Sequence, residues 1–142
     1  MCHAGRTLLI LDDESSIRTS LAFFFEDRGW QVRAVECAED ALAVLDRERI
    51  DGAIVDIRLG GMTGDEFIRE SLKRNLQVVF VVCTGSAEYS LPKDLSTAPW
   101  VCRTVFKKPV TDMELMEREI ENFLETARNR TKENNGNDRS DH

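Results

Sequence analysis

No Cys-x-x-Cys pair occurs in the sequence. Its four cysteines, Cys2, Cys37, Cys83 and Cys102, stand 35, 46 and 19 positions apart. That spacing excludes a paired-cysteine zinc site or a dithiol redox motif, and leaves buried free thiols in a reducing compartment as the plain reading. Positive charge is also scarce: 19 Lys and Arg against 26 Asp and Glu give a net charge of −7. A nucleic-acid surface clusters Lys and Arg on one face, so direct binding of DNA is not expected. Long apolar runs are missing too. The first, residues 7–11, stops at Asp12, too soon for a signal peptide or a membrane span, and the chain is read as cytoplasmic. What remains is 142 residues, 42% hydrophobic and 32% charged, the composition of one soluble globular domain.

Apolar runs that end on acid punctuate the chain. Residues 7–11 lead into Asp12-Asp13-Glu14, and Ala53-Ile54-Val55 leads into Asp56, followed by a Gly-rich turn. Runs this short suit strands buried on both faces of a parallel sheet rather than amphipathic helices. Residues 78–83 form the strongest strand signal, residues 31–35 alternate as an outer strand would, and residues 100–106 supply a fifth. Between them lie helical spacings. Ser15 or Ser16 caps a helix carrying Ile17, Leu21, Phe24 and Phe25, stopped by Gly29; Ala41, Leu42 and Leu45 face inward from residues 38–49; Phe67, Ile68 and Leu72 follow Gly64. Pro92 and Pro99 leave room for only a turn or two of a fourth helix. Thr111-Asp112-Met113-Glu114 reads as a capping box before a last helix. Strands alternating with helices imply a doubly wound α/β fold, five parallel strands with helices on both faces and an irregular fourth helix. The expected domain spans 6–126, after an extension over 1–5 and before a polar, disordered tail over 127–142, and no internal repeat is present.

In a parallel sheet the carboxyl ends of the strands share one edge, where ligands bind. The residues leaving those ends are Asp12 and Asp13, Asp56, Thr84 and Lys108. Clustered carboxylates repel, and a divalent cation resolves the repulsion; hard oxygen donors without His or Cys point to Mg2+. A threonine hydroxyl and a lysine ammonium are what the oxygens of a transferred phosphoryl group require. Asp56 is accordingly the expected nucleophile, with Mg2+ on Asp13 and Asp56, Asp12 acting through water, and Gly85 leaving the approach open.

The ordered set Asp12-Asp13-Glu14, Asp56 followed by Gly61-Met62-Thr63-Gly64, Thr84-Gly85 and Lys108-Pro109 resembles the receiver domain of bacterial two-component response regulators, over roughly residues 6 to 126. The resemblance implies a flavodoxin-like sheet of order 2-1-3-4-5. It implies that Asp56 takes phosphate from a sensor histidine kinase or phosphotransfer protein, that the backbone carbonyl of Arg58 joins the metal ligands, and that Arg58 and Ser86 tune phosphate lifetime. It further implies a switch built on Thr84 and an aromatic of the fifth strand, a downstream protein partner, and a homodimer as one admissible assembly. With no output domain after the last helix, the expectation is a stand-alone phospho-switch, and a polar tail without a linker-like continuation reads as a complete chain.

Departures from the family pattern are concrete. Leu59-Gly60 stands where Met-Pro is common, the Thr84-to-Lys108 interval is about two residues long for the family, and the position three before Lys108 is Val105, with Phe106 one step later. A one-residue register shift or bulge in the fifth strand would restore Phe106 and make Lys107 the phosphate-binding lysine; otherwise Lys107 reads as solvated. Glu14 reads as a support for the acid pair or a helix cap, Trp30 and Trp100 as core-edge packing, and Cys83 as a small buried residue rather than a redox tuner. The Glu-rich face of the last helix, Glu114, Glu117, Glu119, Glu121 and Glu125, reads as solvent-exposed. Two other functions compete: a phosphate-independent receiver-like binding module, and a Mg2+ phosphatase. The phosphatase would want a second Asp two residues after the nucleophile, where this chain has Arg58.

Overall fold

The computed structural model describes residues 5–140, and side chains from 5 to 129. Five strands alternate with five helices: β1 Thr7–Leu11, α1 Ser15–Asp27, β2 Gln31–Val35, α2 Ala38–Arg47, β3 Gly52–Val55, α3 Gly64–Leu72, β4 Val79–Thr84, α4 Lys93–Ser96, β5 Val101–Lys107 and α5 Met113–Ser140. The sheet is parallel throughout, in the order β2-β1-β3-β4-β5. It is the doubly wound α/β fold that the apolar runs and their spacing predict, in the flavodoxin-like strand order that the family resemblance implies.

The two-residue period of a strand decides what each face buries. Leu8, Ile10, Ile54, Val79 and Val81 face α1 and α5, where they meet Leu21, Phe25, Met116, Ile120 and Leu124. Leu9, Leu11, Ala53, Val55, Phe80 and Val82 face the other way, onto Ala41, Val44, Leu45, Phe67, Ile68 and Leu95 of α2, α3 and α4. Each fully buried Leu, Ile, Val or Phe contributes about 1.5–3 kcal/mol relative to exposure, so two complete apolar layers hold the sheet edge rigid. Gly52 permits close docking of α5: a Cβ there would lie 3.0 Å from Ile120 Cγ2.

Several helix ends differ from the sequence expectation. Glu14 occupies the N-cap of α1 without a side-chain cap, so neither Ser15 nor Ser16 serves. Asp112 Oδ1 accepts from the Leu115 amide, placing the cap of α5 one residue after Thr111. A reciprocal capping box does form at α3, where Thr63 Oγ1 accepts from the Glu66 amide and Glu66 Oε1 accepts from the Thr63 amide. Helix α4 is four residues long with Pro92 at its N-cap, as the two prolines dictate. Helix α5 runs to Ser140, past the start of the expected tail, since no proline interrupts residues 113–140. The tail's side chains from 130 onward, and residues 1–4 of the expected extension, lie outside the described residues.

The fifth strand carries a bulge. Phe80 pairs with Val101 and Val82 with Val105, so residues 102–104 stand opposite Val81 alone, two more than a regular ladder holds. These two residues absorb the long Thr84-to-Lys108 interval.

Candidate functional site

Backbone pairing builds the site before any side chain acts. The Asp56 amide donates to the Leu11 carbonyl at 2.9 Å and the Asp12 amide to the Val35 carbonyl at 3.1 Å, so the last bonds of the ladders set Asp56 beside Asp12. On the other side the Lys108 amide donates to the Thr84 carbonyl at 2.9 Å, and Lys107 pairs with Thr84 across the strands. The Lys108-Pro109 peptide is cis. Gly64 closes the floor: its amide donates to the Ile57 carbonyl at 3.1 Å, and a Cβ there would overlap the Asp56 carbonyl oxygen. Only glycine lets α3 start this close to the Asp56 backbone.

One carboxylate oxygen from each of Asp12, Asp13 and Asp56 lies within 4.8 Å of the others. Asp12 and Asp56 are buried at 2% and 4% exposure, while Asp13 is open to solvent. Lys108 Nζ sits 2.7 Å from Asp12 Oδ2, 3.0 Å from Glu14 Oε1 and 3.3 Å from Asp56 Oδ2. Burial, and then the charge of Asp12, raise the Asp56 pKa from 3.8 to about 6, against the opposing pull of Lys108. Partial burial works against the Lys108 charge, but its hydrogen bonds to Asp12 and Glu14 outweigh that and push the ammonium pKa up. Three acids facing one ammonium leave uncompensated negative charge. Their hard oxygens, without nitrogen or sulfur donors, suit Mg2+.

Thr84 is fully buried and its Oγ1 accepts from the Ser86 amide at 3.2 Å. The Arg58 amide approaches Asp56 Oδ1 at 3.4 Å, folding the loop after β3 over the acid; the Arg58 residue is otherwise exposed. Glu14 grips Lys108 through its side chain while its amide donates to Asp12 Oδ1 at 2.9 Å. That support of the acid pair was expected; its hold on the lysine was not, and no spacing in the sequence announces it.

The two lysines of β5 part company. Lys108 turns to the acids, whereas Lys107 Nζ donates to the carbonyls of Ser86 at 2.8 Å, Tyr89 at 3.2 Å and Ala87 at 3.5 Å. Lys107 is exposed, as the sequence reading expects; its contacts with three loop carbonyls are what that reading lacked. The register of the strand shifts by two residues rather than one, which keeps the facing of the side chains that follow, so Lys108 and not Lys107 is the pocket lysine. Val105 packs on the α2-α3-α4 side and Phe106, 8% exposed, on the α1-α5 side. Cys83 is buried, and burial pushes its thiol up to about 12, an inert packing residue.

A doubly wound α/β domain with an acid pocket, a buried threonine and a lysine at the carboxyl edge of its sheet is a specific class of molecule. The chain belongs to the response regulator receiver domain family, whose model matches residues 8–121. It is 27% identical over 127 residues to the transcriptional regulatory protein GlrR of Escherichia coli, covering 89% of this chain and 28% of that protein. To FixJ of Rhizobium meliloti it is 29% identical over 121 residues, covering 83% of this chain and 58% of the relative. The chain therefore spans between about a quarter and three fifths of those relatives. A CheY-like receiver domain protein from Methanospirillum hungatei superposes with a TM-score of 0.74 at 27% identity, over 88% of this chain and 98% of that one. The response regulator TrrA of Thermotoga maritima, solved in complex with Mg(2+)-BeF, shares the fold at a TM-score of 0.70 and 24% identity, over 83% and 98% of the two chains.

Proposed function

We propose that Asp56 is the phosphoacceptor of a two-component phospho-switch. The observation that supports this most directly is a buried carboxylate, its pKa raised to about 6, within 3.3 Å of a lysine and grouped with two further acids. An Asp56 oxygen attacks the phosphorus of a phosphohistidine on a sensor kinase or phosphotransfer protein. A P–O bond forms, the P–N bond breaks, and its electron pair returns to the imidazole, which takes a proton from solvent. Lys108 exchanges a carboxylate partner for a phosphoryl oxygen, and the Thr84 hydroxyl donates to another. Asp13, Asp56 and the Arg58 carbonyl, with Asp12 through water, would hold a magnesium ion, which would supply charge neutralisation at the phosphoryl group. Arg58 and Ser86, at the mouth, govern how readily water reaches the acyl phosphate.

The domain acts as a switch rather than a turnover enzyme, because Arg58 occupies the position where a phosphatase of this chemistry needs an acid. A protein unit outside these residues reads the phosphorylated state, in the cytoplasm where sensor kinases present their phosphohistidine; a second copy of this chain is one such unit. No described helix is long and apolar enough to cross a membrane, and the net charge of −7 gives no support to direct nucleic-acid binding.

Incubation with acetyl phosphate and Mg2+ tests the reading by intact mass. Wild type gains one phosphoryl mass and Asp56→Asn gains none; a gain in the variant overturns the assignment. Val105, in place of a switch aromatic, favours the second reading, a binding module indifferent to phosphate. Beryllofluoride with Mg2+ separates the two, since the module binds none.

A further inference from the structure

We propose that Lys107 is a positioning residue for phosphoryl recognition, acting through the β4–α4 loop on the Thr84 hydroxyl. The inference rests on the phosphoacceptor reading above. Three carbonyls of one short segment, Ser86, Ala87 and Tyr89, converge on its ammonium, which has three donors and no acceptor and so matches them one to one. Residues 85–92 have no helix or strand of their own. Apart from Lys107, the Tyr89 hydroxyl holds the segment, donating to Asp65 Oδ1 at 2.6 Å, and so does the Tyr89 amide, donating to the Ser86 carbonyl at 3.4 Å. A loop without ladder hydrogen bonds opens readily unless other groups order it, and here a side chain from the neighbouring strand does so.

The connection to the pocket runs through one residue, Ser86. Lys107 holds the Ser86 carbonyl, and the Ser86 amide donates to Thr84 Oγ1. With that lone pair engaged, the hydroxyl hydrogen is left to be donated elsewhere, to a phosphoryl oxygen on Asp56. Lys107 thereby pre-organises the donor without touching the reacting atoms, and pre-organisation lowers the cost of binding. Adjacent lysines divide the work: Lys108 supplies charge to the acids and Lys107 fixes the neighbouring hydroxyl.

Calorimetric titration with beryllofluoride in saturating Mg2+ tests this on the full chain. Lys107→Met is expected to bind about fivefold more weakly than wild type, with Mg2+ affinity alone unchanged and most of the loss restored in Lys107→Arg. In a Thr84→Val background, which keeps the side-chain shape and removes the hydroxyl, Lys107→Met is expected to cost nothing further, because coupled residues are non-additive. Amide hydrogen exchange of residues 86–89 should quicken in Lys107→Met. An equal loss in both backgrounds, unchanged affinity, or unchanged exchange overturns the positioning role while leaving the phosphoacceptor reading intact. Wild type that binds no beryllofluoride overturns that reading, and this role with it.

Discussion

Two buried aspartates flank β3, Asp51 before it and Asp56 after it, and both are 4% exposed. Their surroundings are opposite. Asp51 Oδ2 accepts from the Thr7 amide at 2.8 Å and Oδ1 from Arg128 Nη2 at 2.8 Å, with Arg49 at 3.9 Å. Arg128 also reaches the Gln77 carbonyl at 3.3 Å, so Asp51 ties the start of two strands to α5, with a donor on each of its oxygens. Asp56 shares its space with two acids and one lysine that Asp12 and Glu14 hold more closely. The same residue type at equal depth is a structural tie at one end of a strand and a reactive group at the other. The difference lies in whether its partners are donors or competitors for them.

The largest expected contrast is chemical. Asp56→Asn abolishes the mass gain from acetyl phosphate whereas Asp51→Asn leaves it unaltered; loss in both variants would erase the distinction. Next comes stability, measured by urea unfolding at neutral pH. Asp51→Asn should cost about 2 kcal/mol, because the partly buried Arg128 guanidinium and the Thr7 amide lose a charged acceptor. Asp56→Asn without metal at pH 8 should instead stabilise by about 2 kcal/mol. The reason is that the folded pKa of Asp56, about 6, lies above 3.8, so its ionised form opposes folding. That penalty is complete above about pH 6, shrinks as pH falls and is gone below about 3.8. The advantage of Asp56→Asn should therefore fade over that window, and millimolar Mg2+ should suppress it at pH 8 by stabilising wild type. The smallest effect belongs to the rim. Glu14→Gln, whose side chain is 57% exposed, should change stability by less than about 0.5 kcal/mol.

Much of this was legible in the chain because it is written at short range. Strand runs ending on Asp12 and Asp56 follow from composition over five residues, and parallel pairing then brings distant strand ends to one edge. Longer-range contacts left no such mark. Glu117 was expected on an exposed acidic face of α5, yet it is 2% exposed and accepts from Trp30 Nε1 at 2.9 Å and Arg28 Nε at 3.0 Å, partners 87 and 89 residues away. Helical spacing does set Glu117 beside the apolar stripe, three before Ile120 and seven before Leu124, but nothing local names the partners that satisfy its charge there. The long interval between Thr84 and Lys108 was visible, but its location was not, since a bulge has no fixed composition. Lys107 was hidden for a different reason: its partners are backbone carbonyls, which every sequence has everywhere.

The bulge in β5 has a consequence for how this chain tolerates changes of length. Its surplus lies midway along the strand, with Thr104 donating to Glu119 of α5 at 2.8 Å, while pairing is regular again from Val105 onward. The strand carries its slack upstream of the lysines. Insertions or deletions around α4 can be taken up there as a longer or shorter detour, and the spacing at which Lys108 meets its acids is insulated from them.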